Sequence, residues 1–248
     1  MKRALITGAN KSIGFETARQ LLQKGYYIYL GSRNIENGLQ AVSKLKAEGL
    51  NEVEAIQIDV SDQGSVTAAR AEIGKKTEVL DVLINNAGIS GGRPQTATGT
   101  DIAVFKEVFE TNLFGVVRVT RAFIDLLQGA PQPRIVNVSS SMASLNLNSD
   151  PAWKYYNHKG AVYLPSKTAL NMYTINLAYE LRDTPFKVNA VDPGFIATDF
   201  NNHRGTGTVE EAGARLVKYA IIDADGPTGK FFSEEYNSET GEIPGSLG

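Results

Sequence analysis

The sequence predicts a single α/β domain, an open and mostly parallel sheet doubly wound by helices on both faces. Short apolar runs alternate with amphipathic stretches along the chain, the pattern of repeated strand–helix crossovers. The glycine-bearing and polar motifs fall just after the apolar runs, at the carboxyl ends of the strands, where open α/β sheets bind ligands. No Gly/Ser/Pro linker, low-complexity tract or repeat divides the 248 residues, so one domain spanning 1–248 is expected.

Composition narrows the function. An apolar content of 42% suffices for a core, and 21% charged residues is ordinary for a soluble chain. The net charge of −2 gives no reason to expect a nucleic-acid partner. The absence of Cys excludes disulfides, thiolate catalysis and a Cys-based zinc site. His158 and His203 are the only histidines and lack ligand-like spacing, so no metal is expected. The N-terminus M-K-R-A-L-I-T-G runs straight into a strand, and no apolar segment is long enough to span a bilayer. A cytoplasmic protein without a membrane partner is the expectation.

Arg3 to Thr7 reads as the first strand. It meets Gly8-Ala9-Asn10-Lys11-Ser12-Ile13-Gly14 and then a helix from Phe15 to about Gln23. Strand, glycine turn and helix together seat a dinucleotide pyrophosphate. Backbone N–H groups and the positive helix end meet the phosphates, and Gly lets the backbone approach. Gly8, Asn10, Lys11, Ser12, Ile13 and Gly14 are therefore candidate contacts of a Rossmann-type cofactor site. The spacing is not G-x-G-x-x-G. Tyr26 to Leu30 is the second strand, ending in Gly31-Ser32-Arg33-Asn34. An acid here would take the ribose 2′-hydroxyl of NAD, whereas Arg accommodates the 2′-phosphate of NADP. Arg33, with Lys11 as a second cation, predicts NADPH over NADH, with NADH use left open.

Ile35 to Glu48 is an amphipathic helix with Leu39, Val42 and Leu45 at helical spacing, and Gly49 follows its end. Val53 to Ile58 is the third strand, closed by Asp59-Val60. Asp59 either receives an adenine amino group or caps the next turn. Ser61 is a plausible N-cap for a helix to about Lys75. Val79 to Ile84 is a buried strand followed by Asn85-Asn86-Ala87-Gly88, whose amides can brace the backbone around a ligand without charge. Residues 89–100 form a loop. Asp101 to Leu127 is one long helix containing Asn112. A mid-helix Asn competes for backbone hydrogen bonds, so Asn112 has either a polar role near the site or a tolerated surface place.

The chemistry lies between Arg134 and Lys167. The run R-I-V-N-V emerges into Ser139, Ser140 and Ser141, and Tyr163 and Lys167 stand four apart, on one helix face. Free Tyr titrates near pH ~10, and a nearby positive charge lowers that value. Lys167 could supply the charge, and a serine hydroxyl could hold a substrate oxygen. Such a set suits proton transfer to or from an alcohol or carbonyl oxygen, with a cofactor as hydride source. A lone Y-x-x-x-K arises by chance on many helices; the serines and the glycine turn give this one meaning. Pro151, Trp153, Tyr155, Tyr156 and His158 form an aromatic loop able to line a pocket for bulky or aryl ketones. Pro165 is tolerable in a first helical turn, and the helix continues to Leu181. Phe186 to Val191 is a strand, followed by Asp192-Pro193-Gly194-Phe195-Ile196-Ala197-Thr198. Asp199 to Gly213 is a candidate mobile lid. A short helix to Ala220 and a strand around Lys230 to Ser233 finish the domain.

T-G-A-N-K-S-I-G, Asp59-Val60, N-N-A-G at 85–88, Asn112, V-S-S at 138–140, Y-L-P-S-K at 163–167 and P-G at 193–194, in this order, resemble the short-chain dehydrogenase/reductase family. The resemblance runs to about Ser233. It implies a tetrad of Asn112, Ser140, Tyr163 and Lys167. Tyr163 would protonate the carbonyl oxygen as hydride arrives, and Ser140 would orient that oxygen. Lys167 would bind the nicotinamide ribose and lower the Tyr pKa, while Asn112 would hold a relay water. Asp59, Val60, Asn86, Ala87, Gly88, Tyr163, Lys167, Pro193, Gly194, Ile196 and Thr198 are the further implied cofactor contacts, Thr198 steadying the carboxamide. Ser12 replaces the family's usual middle glycine. Ser140 and Tyr163 are 23 positions apart, more than is usual. The longer insertion, G-S-R-N and G-P-T-G-K-F-F are similar to the carbonyl reductase branch, where a larger insertion blocks oligomer contacts. Monomer, dimer and tetramer therefore all stay open. The implied activity is reversible reduction of a small ketone or aldehyde to the alcohol by NADPH. An NADP-binding regulator without turnover and an imine or enone reductase are the alternatives.

Overall fold

The computed structural model describes residues 1–235. Seven strands form one sheet: β1 (Arg3–Ile6), β2 (Tyr27–Ser32), β3 (Val53–Gln57), β4 (Val82–Asn85), β5 (Arg134–Val138), β6 (Lys187–Val191) and β7 (Phe231–Phe232). Their order is 3-2-1-4-5-6-7, and every pairing is parallel. The order reverses between β1 and β4, which opens a crevice at their carboxyl ends.

Alternation along the strands divides the core in two. Ala4 and Ile6 face one layer with Leu21 of α1 (Ser12–Gln23), Leu45 of α2 (Ile35–Ala47) and Leu216 of α8 (Val209–Ala220). Leu5 faces the other, with Ile73 of α3 (Gln63–Gly74), Phe123 of α5 (Gly115–Gln128) and Leu177 of α7 (Tyr163–Glu180). Helices thus cover both faces, as the alternating pattern predicts. Among the described residues no helix is long and apolar enough to cross a membrane.

Four local expectations change. Leu39 is 54% exposed, because α2 packs through Gly38, Ala41, Val42 and Leu45. The cap of α3 is Asp62, whose Oδ1 accepts the Ser65 N–H at 2.6 Å, while the Ser61 N–H and hydroxyl donate to Asp59 Oδ1 at 2.9 and 2.6 Å. The long helix is α4 (Ile102–Phe109), a π turn (Glu110–Phe114) and α5, since an i→i+5 turn admits one extra residue. The polar stretch after Thr198 is only partly a loop. Asp199–Asn201 is a 3₁₀ turn, and α8 starts at Val209. The start of α8 is fixed by a capping box in which Thr208 Oγ1 accepts the Glu211 N–H at 3.2 Å and Glu211 Oε2 accepts the Thr208 N–H at 2.9 Å. The serine-rich interval after β5 is also ordered, as a 3₁₀ turn (Ser141–Ala143) and the short α6 (Leu145–Ser149).

Candidate active site

The glycine turn sits at the β1/β4 crevice with little spare room. A Cβ at Gly14 would stand 2.5 Å from Asn86 Nδ2 and 2.8 Å from the Gly8 carbonyl. Gly8 has φ +63°, and a Cβ there would stand 3.0 Å from Ala87 Cα. The Asn86 and Ala87 N–H groups donate to Thr7 Oγ1 at 3.0 Å each, and Asn86 Nδ2 donates to the Thr7 and Gly8 carbonyls at 2.9 and 3.0 Å. Asn86 therefore braces the turn as expected. Asn85 does not; it is buried below, donating to Asn137 Oδ1 at 2.8 Å and Thr120 Oγ1 at 3.2 Å. Lys11, the cap of α1, makes no side-chain cap bond, so no cap side chain satisfies the first donors of that helix. Asn10 and Ile13 lie in the same turn, half-buried. Ser12 keeps a glycine-like backbone, φ +52°, at a cost of about 1–2 kcal/mol.

Arg33 is exposed just past β2, beside the end of β3, where Asp59 and the buried Val60 lie. Lys11 is engaged elsewhere. Its ammonium pairs with Asp199 Oδ2 at 2.8 Å, and His203 Nε2 stands 3.0 Å from the other carboxylate oxygen. To meet a phosphate, Lys11 must exchange this exposed partner, a solvent-screened pair that holds it weakly. On the opposite side of the crevice, Gly194 adopts φ +93° and the Pro193 carbonyl accepts from Arg215 at 2.7 Å. Ile196 and Thr198 are both buried in the following turn.

Two residues of the implied tetrad, Asn112 and Lys167, meet beside Gly88. A Cβ on Gly88 would stand 3.3 Å from Asn112 Oδ1 and 3.6 Å from Lys167 Nζ. Asn112, at the middle of the π turn, clamps one residue on both sides. Its Oδ1 accepts the Ile89 N–H at 2.8 Å and its Nδ2 donates to the Ile89 carbonyl at 2.9 Å. Nδ2 also donates to Ser166 Oγ on α7 at 3.1 Å. Of the three serines, Ser140 hydrogen-bonds the Tyr163 phenol. The Ser139 hydroxyl donates instead to Asn171 Oδ1 at 2.6 Å, and Ser141 offers its backbone N–H to Asp192.

The expected lowering of the phenol by Lys167 does not occur. Burial holds Tyr163 well above the usual phenol range, the Ser140 hydrogen bond offsets part of this, Asp192 adds to the rise and Arg93 opposes it. Lys167 donates to the Val138 carbonyl at 2.7 Å, its Nζ is 5.9 Å from the Tyr163 ring centroid, and burial brings it down to about 8. Sequence spacing put the two on one face; the strand-end carbonyl turned the ammonium away. The phenol is thus neutral at pH 7.

Sequence reasoning passed over Asp192. Its buried carboxyl, pushed up by burial, accepts the Ser233 hydroxyl at 2.7 Å and the Gly194 N–H at 3.0 Å, tying together β7, the Pro-Gly turn and the serine loop. The available signal was an Asp directly before Pro-Gly at a strand end. The aromatic loop packs largely on itself and its neighbours. Tyr155 packs edge-on against Phe195 at 5.7 Å, and Phe200 lies 5.4 Å from the Tyr163 ring. Trp153 is buried rather than lining. An apolar groove of about 820 Å³ lies on the opposite face of α7, walled by Phe109, Leu145, Leu164 and Met172, with none of the tetrad in its lining.

A glycine turn at the β1/β4 crevice with a protonated phenol beyond it is the arrangement of dinucleotide-dependent oxidoreductases. Comparison with known proteins agrees. Residues 2–208 match the family model described as short chain dehydrogenase. The chain is 34% identical over 298 aligned positions to (+)-neomenthol dehydrogenase of Capsicum annuum, covering 92% of this chain and 94% of that one. The alignment is longer than the 248-residue chain, so that relative carries segments absent here. Salutaridine reductase of Papaver somniferum superposes with a TM-score of 0.81 at 30% identity, over 93% of this chain and 99% of that one. An NADPH-bound carbonyl reductase from chicken fatty liver gives a TM-score of 0.81 at 26% identity, over 94% and 96%. The chain belongs to the short-chain dehydrogenase/reductase family and is an oxidoreductase.

Proposed function

We propose that this protein is an NADPH-dependent carbonyl reductase that converts ketones or aldehydes to alcohols. The observation that carries the reading is the neutral, half-buried Tyr163 phenol, held by Ser140 at the edge of the crevice with the Lys167 ammonium 5.9 Å from its ring centroid. A phenol that keeps its proton is a general acid, so the site favours reduction at neutral pH. Tyr163 donates the proton to the substrate oxygen, Ser140 orients that oxygen, and Asn112 holds the Ile89 peptide and the start of α7 in place. Lys167, whose ammonium is held by the Val138 carbonyl, would bind the nicotinamide ribose. The residues fit the cofactor. Gly8 and Gly14 let the turn pack closely against Asn86 and Ala87, no cap side chain meets the first donors of α1, and Arg33 makes no ion pair with a described residue. NADPH, when bound, supplies the hydride. The names of the relatives, a dehydrogenase and two reductases, support the same chemistry.

The test is loss of reduced-nicotinamide absorbance with NADPH, then NADH, over aryl ketones, aldehydes, diketones and keto esters. Oxidation of NADPH by one ketone class is expected; silence with both cofactors across the panel sinks the proposal. Arg33→Ala should weaken NADPH roughly tenfold, the value of one charge-assisted contact, and leave NADH unchanged. Equal loss for both cofactors would show that Arg33 does not read the 2′-phosphate.

The pH dependence follows from the two shifts. Burial keeps Tyr163 protonated at neutral pH, so it sets no limit on reduction there. Lys167, brought down to about 8, loses its charge as pH rises through that value. For reduction, kcat/KM for NADPH should be flat below pH 8 and fall above it, whereas alcohol oxidation, which needs phenolate, should be slow at neutral pH, held back by the raised Tyr163 phenol. A reduction profile rising from pH 7 to 9 would contradict these assignments.

A further inference from the structure

The catalytic helix begins without a cap of its own. α7 starts at Tyr163, and Val162 before it has no side chain able to accept a first-turn N–H. Those donors can be traced one by one. The Leu164 N–H reaches the Gly160 carbonyl at 3.4 Å, and Pro165 has none to place. The Val162 and Tyr163 N–H groups both go to one atom, Oε1 of Gln95, at 3.2 and 3.0 Å. Gln95 is 68 positions away in the loop after β4. Its other end is equally engaged, since Nε2 donates to the Ser90 carbonyl at 2.6 Å and the Gly92 carbonyl at 2.9 Å.

The amide fills a slot made for it. Gln95 is only 9% exposed, and glycines flank both its ends. A Cβ on Gly160 would stand 3.1 Å from Oε1, and one on Gly91 would stand 3.3 Å from Nε2. The same loop segment is held at Ile89 by Asn112. One short run of backbone, 89–95, therefore carries contacts to the π turn at one end and to the first residue of the catalytic helix at the other.

From this geometry we infer that Gln95 is a positioning residue for Tyr163, acting as a long-range cap that fixes the start of α7 and thereby the reach of the phenol. The inference rests on the carbonyl reductase reading for its catalytic consequence, not for the cap itself. The acceptor half of the amide is the half that matters, because it holds the Tyr163 backbone. The donor half fixes the loop, which Asn112 secures independently.

Two variants of the full chain separate these roles. Gln95→Met keeps the length and removes every hydrogen bond. Gln95→Glu keeps an acceptor toward Val162 and Tyr163 and places oxygen against the Ser90 and Gly92 carbonyls. Three readouts are taken: amide hydrogen exchange of the peptide spanning 162–163, kcat and KM with the best ketone of the panel, and NADPH Kd by calorimetry. In Gln95→Met, exchange at 162–163 should rise and kcat should fall roughly tenfold or more, since small misplacements of a reacting group lower rates steeply, while Kd stays within about twofold. In Gln95→Glu, exchange at 162–163 and kcat should stay within about threefold of the parent. A Met variant with parental exchange and kcat overturns the inference. So does a loss of kcat and of NADPH affinity in equal proportion in both variants, which would mark a merely structural residue. Should Gln95→Met not fold, Gln95→Glu decides alone: retained protection and kcat support the cap, and a deprotected Tyr163 amide overturns it. If the parent turns over no carbonyl, the functional reading fails, and the exchange contrast between the variants still decides whether Gln95 caps α7.

Discussion

Tyr163→Phe should lower kcat for ketone reduction by about 10²–10⁴-fold, the range a positioned general acid supplies, while the NADPH dissociation constant stays near the parent value. The ring would keep its contact with Phe200 and its place on α7, and only the hydroxyl on Ser140 would go. Stability should change little, because a half-buried phenol loses only its hydroxyl and Ser140, itself half-buried, is already an acceptor for the Met142 N–H at 3.2 Å. Single-turnover kinetics at saturating NADPH would read the chemical step directly. Turnover within threefold of the parent would remove Tyr163 from the role of proton donor and shift attention to Lys167.

Gly14→Ala should weaken NADPH binding by about 100-fold, on the scale of 1–3 kcal/mol for overpacking a tight site. The added methyl would stand 2.8 Å from the Gly8 carbonyl and 2.9 Å from Ala9 Cα, both backbone atoms with little freedom to yield. It would also press on Asn86 Nδ2, the group that holds the Thr7 and Gly8 carbonyls. Relief requires the turn to lift from α1, and the lifted turn no longer aims its donors at one anion. Calorimetry with NADPH, beside a thermal melt, separates a lost seat from a lost fold. Unchanged affinity in a folded variant would mean that the pyrophosphate does not lie on this turn.

The sheet was legible because each strand is a short apolar run with a motif at its end, and because crossovers in such sheets leave few alternatives. The tetrad was legible as a list, since Tyr163 and Lys167 are linked by helical spacing and Asn112 stands out as an unfavourable residue within a helix. Its electrostatics were not. Whether burial or a neighbouring charge governs the phenol depends on where the Lys167 ammonium points, and that is set by the Val138 carbonyl on another element. Leu39 matched the helical period and still faces solvent, because a three-residue step drifts off the narrow face that α2 buries. Asp62 and Ser61 are adjacent capping residues, and only the side-chain reach to the third N–H decides between them. Gln95 could not be found at all. It lies in a stretch that reads as plain loop, and its partners are 67 and 68 positions away.

The π turn at Glu110–Phe114 also bears on how this helix came to hold a polar residue. Before it, α4 buries only Val108; after it, α5 buries Val116, Val119, Phe123, Leu126 and Leu127 along a regular stripe. One added residue turns everything downstream by about 100° relative to everything upstream. Deleting one residue between 110 and 114 would restore uniform winding and carry Asn112 off the Ile89 peptide. In terms of winding alone, one extra residue separates a helix that only packs from one that also reaches across to the crevice, and the core behind it keeps its own phase throughout.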